Sequence, residues 1–349
     1  MYLTEVCRVY QPQTISKKSL PADGVYPVYG ANGKIGFNDE FNHEEPQLLL
    51  GCRGSVGSIH ISEAFSWING NAMVVQPFED LVTRDYLKYA LLGGINIKDA
   101  ISGTAQPQIT RQSLSKIKIP VPSPKKQGEI IDKLDIAFAD IDLLEQNLEL
   151  SNEKANQLLQ SLLSAAFSST KAYTDFTKVF TVIPDSKSKI KSSSYLESGK
   201  YAVVDQGKEL VAGYTDTSLT VDEKSLPVVV FGDHTRAVKY VDFPFTAGAD
   251  GTKILKPSVI TNPKYGFYLV LFAVGQIPSK GYARHFGELS KIQFPLLSTD
   301  EQNQIVEKLD SAFAAVELLK VQMKIEKDYA LAIRQSLLSS AFTQEEGYA

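Results

Sequence analysis

The sequence has very little cysteine and no long apolar run. Only Cys7 and Cys52 occur among 349 residues, which excludes a disulfide scaffold and a four-cysteine zinc site. No apolar run approaches the ~18 residues that a membrane-spanning helix needs. The N-terminus also lacks a signal-peptide pattern. We therefore expect a cytoplasmic chain.

Catalytic signatures are missing as well. There is no Asn/Asp-Pro-Pro-Tyr/Phe motif of amino methyltransferases and no Walker loop. The acid–lysine run at 222–224 is of a kind common on solvated loops, so a nuclease site there is disfavoured. Four histidines lack the spacing of zinc ligands: His43, His60, His234 and His285. These absences favour a binding protein without a catalytic site, metal or cofactor of its own.

Charge is distributed unevenly along the chain. The net charge of −4 divides into zero for residues 1–122, −3 for 123–171, +3 for 172–297 and −4 for 298–349. The acidic excess therefore lies in the second and fourth segments. The first and third segments are neutral to basic, which permits a basic face on each of them.

The most informative feature of the chain is an internal repeat. Residues 127–167 recur without a gap as residues 302–342, with 18 of 41 positions identical and an offset of 175. A repeat of this kind determines the architecture of the whole chain. Each copy has an apolar residue about every 3.5 positions over about five heptads, which is typical of coiled-coil helices.

We predict that the two repeated segments are long helices that pair with each other. A helix of ~41 residues would be on the order of 60 Å long, and no proline or glycine interrupts either copy after Gly128. Two unrelated surface helices are the disfavoured alternative. An antiparallel pair is preferred because a parallel pair would need a connection along the full helix. The predicted seam comprises Leu134, Ile141, Leu144, Leu148, Leu158, Leu162, Leu309, Val316, Leu319, Met323, Ile333 and Leu337.

The segments that precede the helices also resemble each other. Short strand-like runs at 26–29, 34–37, 48–51, 58–61 and 73–77, followed by a helical run at 84–92, indicate an α+β domain. Runs at 201–204, 228–232 and 289–295 parallel those at 26–29, 48–51 and 114–120. The predicted division is a globular segment (1–122), a helix (123–171), a globular segment (172–297) and a helix (298–349). Pseudo-two-fold symmetry within the chain follows from this duplication.

Two phrases, SGTAQPQITRQSLSKIKIPVPSPKKQGEIIDKLD and GYARHFGELSKIQFPLLSTDEQNQIVEKLD, resemble specificity (S) subunits of type I restriction-modification systems. The resemblance implies two target-recognition domains, each reading one half of a bipartite DNA target. It implies that the helices set the spacer and dock two DNA-methyltransferase subunits, beside restriction–translocase subunits. Those partners would use S-adenosylmethionine, ATP and magnesium.

Candidate DNA-binding residues come from polar loops of the two globular segments. Arginine or lysine reads guanine and asparagine or glutamine reads adenine, while phosphate contacts fix the register. The candidates are Asn32, Lys34, Arg53, Ser55, Gln106, Gln108, Arg111, Lys187, Lys189, Lys208, Asp233, His234, Arg236, Lys280, Tyr282, Arg284 and His285. For each single residue, an ordinary solvated side chain is the alternative.

Two alternatives remain open at this point. The glycine-rich run 51–57 could hold a phosphate on backbone amides or form a tight turn between strands, and the turn is favoured. The whole chain could be a coiled-coil scaffold whose globular domains bind proteins instead of DNA. Binding to duplex DNA that weakens steeply with salt would distinguish the DNA-binding protein from the scaffold.

Overall fold

The computed structural model describes residues 1–103, 106–168, 172–184, 189–248, 251–277 and 283–343. The chain divides into two compact units. The first unit is Met1–Leu148 with Lys324–Ala349, and the second is Glu149–Met323. The division into four consecutive segments remains a prediction.

The first unit contains two main sheets. One has the strand order β1-β7-β4-β5 and the other β3-β2-β6, with β8 and β9 forming a separate hairpin. The strands are β1 (Cys7–Tyr10), β2 (Tyr26–Gly30), β3 (Gly33–Asn38), β4 (Leu48–Gly51), β5 (Ile59–Ile61), β6 (Trp67–Ile68), β7 (Ala72–Pro77), β8 (Ile101–Ser102) and β9 (Gln108–Ile109). All five strand-like runs predicted for this segment are therefore confirmed.

The second unit repeats this sheet plan. Its sheets have the orders β11-β17-β14-β15 and β13-β12-β16, and β10 pairs with β18. The strands are β10 (Tyr173–Asp175), β11 (Phe180–Ile183), β12 (Tyr201–Val204), β13 (Gly213–Thr215), β14 (Val228–Gly232), β15 (Val238–Val241), β16 (Phe245–Ala247), β17 (Thr252–Pro257) and β18 (Gln293–Pro295). The same order of four and of three strands confirms the α+β duplication.

Short helices cover the sheets of each unit. The first unit has α1 (Leu3–Val6), α2 (Arg84–Tyr89) and α3 (Arg111–Leu114). The second has α5 (Phe176–Val179), α6 (Pro263–Gln276) and α7 (Phe286–Leu289). The central strand β4 is buried along its whole length, as is its counterpart β14, because helices and strands cover both faces of these apolar runs.

Two long helices, α4 (Pro124–Phe167) and α8 (Thr299–Thr343), have 44 and 45 residues. Proline at the first position of α4 fits because that residue needs no backbone donor. The first half of α4 belongs to the first unit together with the second half of α8. The second half of α4 shares the second unit with the first half of α8. The helices therefore pair antiparallel, as predicted.

The buried face of the long helices corrects part of the predicted seam. Leu134, Ile141, Leu309, Val316 and Met323 are buried, and Leu148, Leu162 and Leu337 are half-buried. Four predicted seam residues are instead exposed: Leu144, Leu158, Leu319 and Ile333. In each case the residue one position later is less exposed: Leu159 is buried, and Glu145, Lys320 and Arg334 are half-buried.

The residues at this later position make the helix contacts. In the first unit the Arg334 guanidinium lies 4.6 Å from the centre of the Phe138 ring and pairs with Asp142. In the second unit Leu159 packs in an apolar cluster with Ala155, Val316 and Phe313. A spacing of four, then three residues places these side chains on the same helix stripe as the buried leucines.

Candidate nucleic-acid interface

A tight turn between β4 and β5 presents the first cluster of candidate residues. The Gly57 amide donates to the Gly51 carbonyl at 2.8 Å, and the Gly51 amide donates to Ser58 O at 2.8 Å. Gly54 and Gly57 have φ of +79° and +85°, which a residue with a side chain adopts only with strain. The turn leaves Arg53 exposed. The run 51–57 therefore forms a tight turn between strands, as favoured, and phosphate binding by its backbone amides stays a prediction.

A second turn, between β2 and β3, lies against the first. The Ser58 hydroxyl donates to the Ala31 carbonyl, which places the adjacent Asn32 next to the β4–β5 turn. Lys34 is also exposed, but its ammonium pairs with Glu63 at 2.6 Å. The hydrogen bond that the ammonium donates to this carboxylate raises the pKa of Lys34. Its charge is therefore partly balanced before any phosphate approaches.

The β8–β9 hairpin completes the cluster of the first unit. Gln108 pairs with Arg53 in an isolated antiparallel bridge, and the Ile109 amide donates to Cys52 O at 3.1 Å. Gln106 and Arg111 are exposed, whereas Ser55 and Gln108 are half-buried. The fold thus brings three separate predicted loops together: 31–34, 51–58 and 106–111.

The second unit builds an equivalent cluster on the turn between β14 and β15. The Arg236 amide donates to Gly232 O, and the Gly232 amide donates to Ala237 O, both at 2.8 Å. Thr235 donates its hydroxyl to Gln206 O, the counterpart of the Ser58–Ala31 bond. Exposed Lys208 lies two residues after Gln206.

Arg236 occupies the position that Gly57 has in the first unit. Its φ is +60°, so the backbone is in a region that disfavours a long side chain. The Arg236 Nη1 donates to Ile277 O at 3.1 Å. Since a guanidinium carries five N–H donors, the others can serve a ligand at this turn.

Two predicted DNA-contacting residues are interior, which corrects the prediction for them. Asp233 and His285 are 4% and 2% exposed. The Asp233 carboxylate accepts from the backbone amides of His285 at 2.9 Å and Phe286 at 2.7 Å. Asp233 therefore caps α7 from another part of the chain, a role that the Thr110 side chain fills locally for α3.

The other candidates of the second unit differ in exposure, and three of them lie outside the described residues. Arg284 is exposed, and His234 and Lys189 are half-buried. The His234 amide donates to the Gln206 side chain at 3.2 Å. Lys187, Lys280 and Tyr282 lie outside the described residues.

Sequence reasoning missed a buried lysine under the second cluster. Lys239 donates to Asp205 O at 2.9 Å and lies 3.7 Å from the Asp205 carboxylate. Burial lowers the pKa of Lys239, and Asp205 opposes this shift. The pair supports the loop that carries Gln206 and Lys208. A lone lysine within the apolar run VKYV was the available signal.

A second kind of surface lies on the long helices. In the first unit Ile136 and Leu143 are 68% and 57% exposed, and in the second unit Leu318 is 72% exposed. Leu143 and Leu318 are equivalent positions of the repeat. Exposed apolar side chains grouped on one helix face mark protein-binding surfaces. These residues point away from the seam, since their heptad position is opposite the buried stripe.

In the described part of the chain, no helix is long and apolar enough to cross a membrane, and no group of His, Cys, Asp and Glu has metal-site geometry. The features that remain are two polar turn clusters, one per unit, and an apolar outer face on paired helices. This combination defines a binding protein with duplicated recognition domains.

Part of the chain is similar to a known family of domains. Residues 1–151 match the family model described as the type I restriction modification DNA specificity domain. The resemblance to type I specificity subunits predicted from the sequence is thereby confirmed.

Curated relatives carry the same description. The EcoprrI type I specificity subunit of Escherichia coli is 29% identical over 115 residues, covering 32% of this chain and 28% of its own length. The EcoR124I/EcoR124II specificity subunit of Escherichia coli is 26% identical over 161 residues, covering 43% and 40%. A Haemophilus influenzae protein named for such a subunit is 31% identical over 127 residues, covering 35% and 32%. The matches span less than half of each relative.

Solved structures share the fold over nearly the whole chain. A structure from work on complex assembly and conformational transition of the type I R-M system has a TM-score of 0.71 at 14% identity, covering 98% of this chain and 96% of that chain. The HsdS subunit of Thermoanaerobacter tengcongensis has a TM-score of 0.51 at 15% identity, covering 98% and 95%.

Proposed function

We propose that the chain is the sequence-specific DNA-recognition subunit of a type I restriction-modification complex, with each unit reading one half of a bipartite target. The observation that carries this proposal is the pair of equivalent turn clusters. Arg53 with Asn32 in one unit and Arg236 with Lys208 in the other occupy corresponding turns of sheets with the same strand order. The match of residues 1–151 to a DNA specificity domain supports DNA as the ligand.

The paired helices would set the length of the non-contacted spacer and dock the partner proteins. Because Leu143 and Leu318 are equivalent exposed residues of the repeat, the chain would bind two copies of one partner. We infer that these copies would be the DNA-methyltransferase subunits, and the similarity of residues 1–151 to a type I restriction modification DNA specificity domain supports this. Restriction–translocase subunits would join the same complex.

The chemistry would belong to those partners, which would use S-adenosylmethionine, ATP and magnesium. This chain would act as a non-catalytic subunit that selects the site. Its place would be the cytoplasm, where the DNA of a bacterial cell lies. A protein–protein scaffold is the competing function, and the exposed helix faces alone would serve it equally well.

Salt-dependent DNA binding separates the two functions. The chain purified with its methyltransferase partner should bind duplex DNA with an affinity that falls linearly on a log–log plot against salt, because phosphate contacts release counterions. It should also prefer one bipartite sequence over unrelated duplex by at least about a thousandfold. Affinity that responds to neither salt nor sequence would leave the scaffold as the function.

The docking surface can be tested by one matched set of variants. Leu143→Asp and Leu318→Asp place a charge on the outer helix face and should each weaken methyltransferase binding by roughly tenfold or more, since burying an unpaired carboxylate is costly. Asn156→Asp adds the same charge at an exposed position away from that face and serves as the control. Sedimentation of the complex gives the stoichiometry, and unchanged binding by both leucine variants would place the dock elsewhere.

A further inference from the structure

Each long helix is attached to the sheet domain of its unit by the same set of buried polar contacts. Gln127 is 1% exposed at the start of α4. Its Oε1 accepts from the Thr83 amide at 3.0 Å, and its Nε2 donates to Leu81 O at 2.7 Å and Pro122 O at 3.0 Å. One side-chain amide thus joins the helix, the start of α2 and the segment that leads into α4.

Gln302 makes the same three contacts at the start of α8. It is also 1% exposed. Its Oε1 accepts from the Asn262 amide at 2.7 Å, and its Nε2 donates to Ile260 O at 3.2 Å and Leu297 O at 3.0 Å. Asn262 caps α6 as Thr83 caps α2. The attachment is therefore duplicated atom for atom.

Two tyrosines extend the attachment in each unit. Tyr86 donates to Pro120 O at 3.0 Å, and Tyr265 donates to Pro295 O at 3.1 Å. One helical turn later, Tyr89 donates to the Asp135 carboxylate, and its counterpart Tyr268 donates to Asp310 at 2.7 Å. Burial, followed by the hydrogen bond to the aspartate, raises the pKa of this second tyrosine in both units, so the phenol remains a donor.

The spacing of these contacts fixes a direction as well as a position. Asp135 lies eight residues after Gln127, and Asp310 eight residues after Gln302. Two attachments about 12 Å apart along a helix prevent the domain from swinging or rotating about it. Apolar packing alone would stabilise the same contact but would permit small shifts, because it is non-directional.

We propose that these eight residues, Gln127, Tyr86, Tyr89, Asp135 and their counterparts Gln302, Tyr265, Tyr268, Asp310, are positioning residues that make recognition depend on spacer length. The proposal rests on the DNA-recognition function given above. One added base pair moves a half-site by about 3.4 Å and rotates it by roughly 35° around the duplex. A domain held rigidly on its helix cannot follow that movement, whereas a domain on a loosened joint can.

The test uses the full chain in complex with its methyltransferase partner. Its bipartite target is first obtained by selection from random duplexes. Binding is then measured to duplexes with the selected spacer, one base pair more and one base pair fewer. Gln302→Leu removes all three amide bonds, and Tyr268→Phe removes one bond with little loss of packing. Gln304→Leu, at an exposed position two residues away, is the matched control.

Wild type and Gln304→Leu should lose at least about tenfold in affinity for an altered spacer, comparable with the effect of a mismatched base pair. For the same altered spacer, Gln302→Leu and Tyr268→Phe should lose only about threefold or less in affinity. Their preferences for the sequences of the two half-sites should stay unchanged. If Gln302→Leu does not fold, the affinity of Tyr268→Phe for duplexes with altered spacers tests the proposal by itself.

Two different results would overturn the inference: one contradicts the positioning role alone, and the other contradicts the proposed function as well. If Tyr268→Phe lowers the unfolding temperature but discriminates spacers as sharply as wild type, the joint serves stability alone. If wild type selects no bipartite sequence, the proposed function itself fails and the positioning role fails with it.

Discussion

Asp233 offers the sharpest test of how the second unit is built, because a DNA contact and a helix cap predict opposite outcomes. Its carboxylate accepts two backbone amide bonds at 2.9 and 2.7 Å while being 4% exposed. Asp233→Ala leaves the Phe286 amide without a partner, while the His285 amide keeps its second acceptor, the Asp233 carbonyl at 2.9 Å. At about 1–3 kcal/mol for a buried unsatisfied group, we expect a loss of about 2 kcal/mol from the second unit.

This loss corresponds to a decrease of about 4–8 °C in the unfolding temperature of a unit of this size. Differential scanning calorimetry measures the decrease, and hydrogen exchange at the amides of His285 and Phe286 locates it. Asp233→Asn keeps an acceptor and should lose roughly half as much. Asp242→Ala, at an exposed position, should stay within about 0.5 kcal/mol of wild type.

A DNA contact would give another pattern. Asp233→Ala would then unfold at the wild-type temperature, keep slow exchange at residues 285–286 and change the preference for one half-site. That result would refute the assignment of Asp233 as the cap of α7.

The remaining predictions concern the helix seam and the turn clusters. Leu159→Ala should destabilise the second unit by about 2–4 kcal/mol. Leu158→Ala, at a 52% exposed position, should lower the free energy of unfolding by less than about 0.5 kcal/mol. Urea unfolding measures both losses, and equal losses would contradict the corrected seam. Arg53→Ala should relax recognition of one half-site and Arg284→Ala of the other, each by about 1–3 kcal/mol if it reads a base. Competition binding with half-site mutants measures this, and a uniform loss over all sequences would identify a phosphate contact instead.

The sequence alone determined the architecture through features that are local or repeated. The 175-residue offset established the duplication, and apolar spacing established two long helices. The prolines at 120, 122 and 124 marked where the first helix begins, since α4 starts at Pro124. Strands such as β4 and β14 were readable because short apolar runs between turn residues allow few other structures.

Tertiary structure decided which residue of an apolar pair faces inward. Leu158 and Leu159 are neighbours with the same side chain, yet only Leu159 is buried. Helical periodicity accepts a core residue either three or four positions after the last one, so the partner helix makes the choice. The same ambiguity applies at Ala137 and Phe138.

The roles of the polar loop residues were also settled only by the fold. Asp233 has the composition of a DNA-facing loop residue, but its partners lie 52 and 53 residues away. Gln127 and Gln302 look like ordinary polar helix residues, yet each is buried against backbone groups about 40 residues or more distant. A polar side chain can bind solvent, DNA or the chain's own backbone. Which of these it does depends on the groups that folding brings within 3 Å, and no local sequence pattern encodes them.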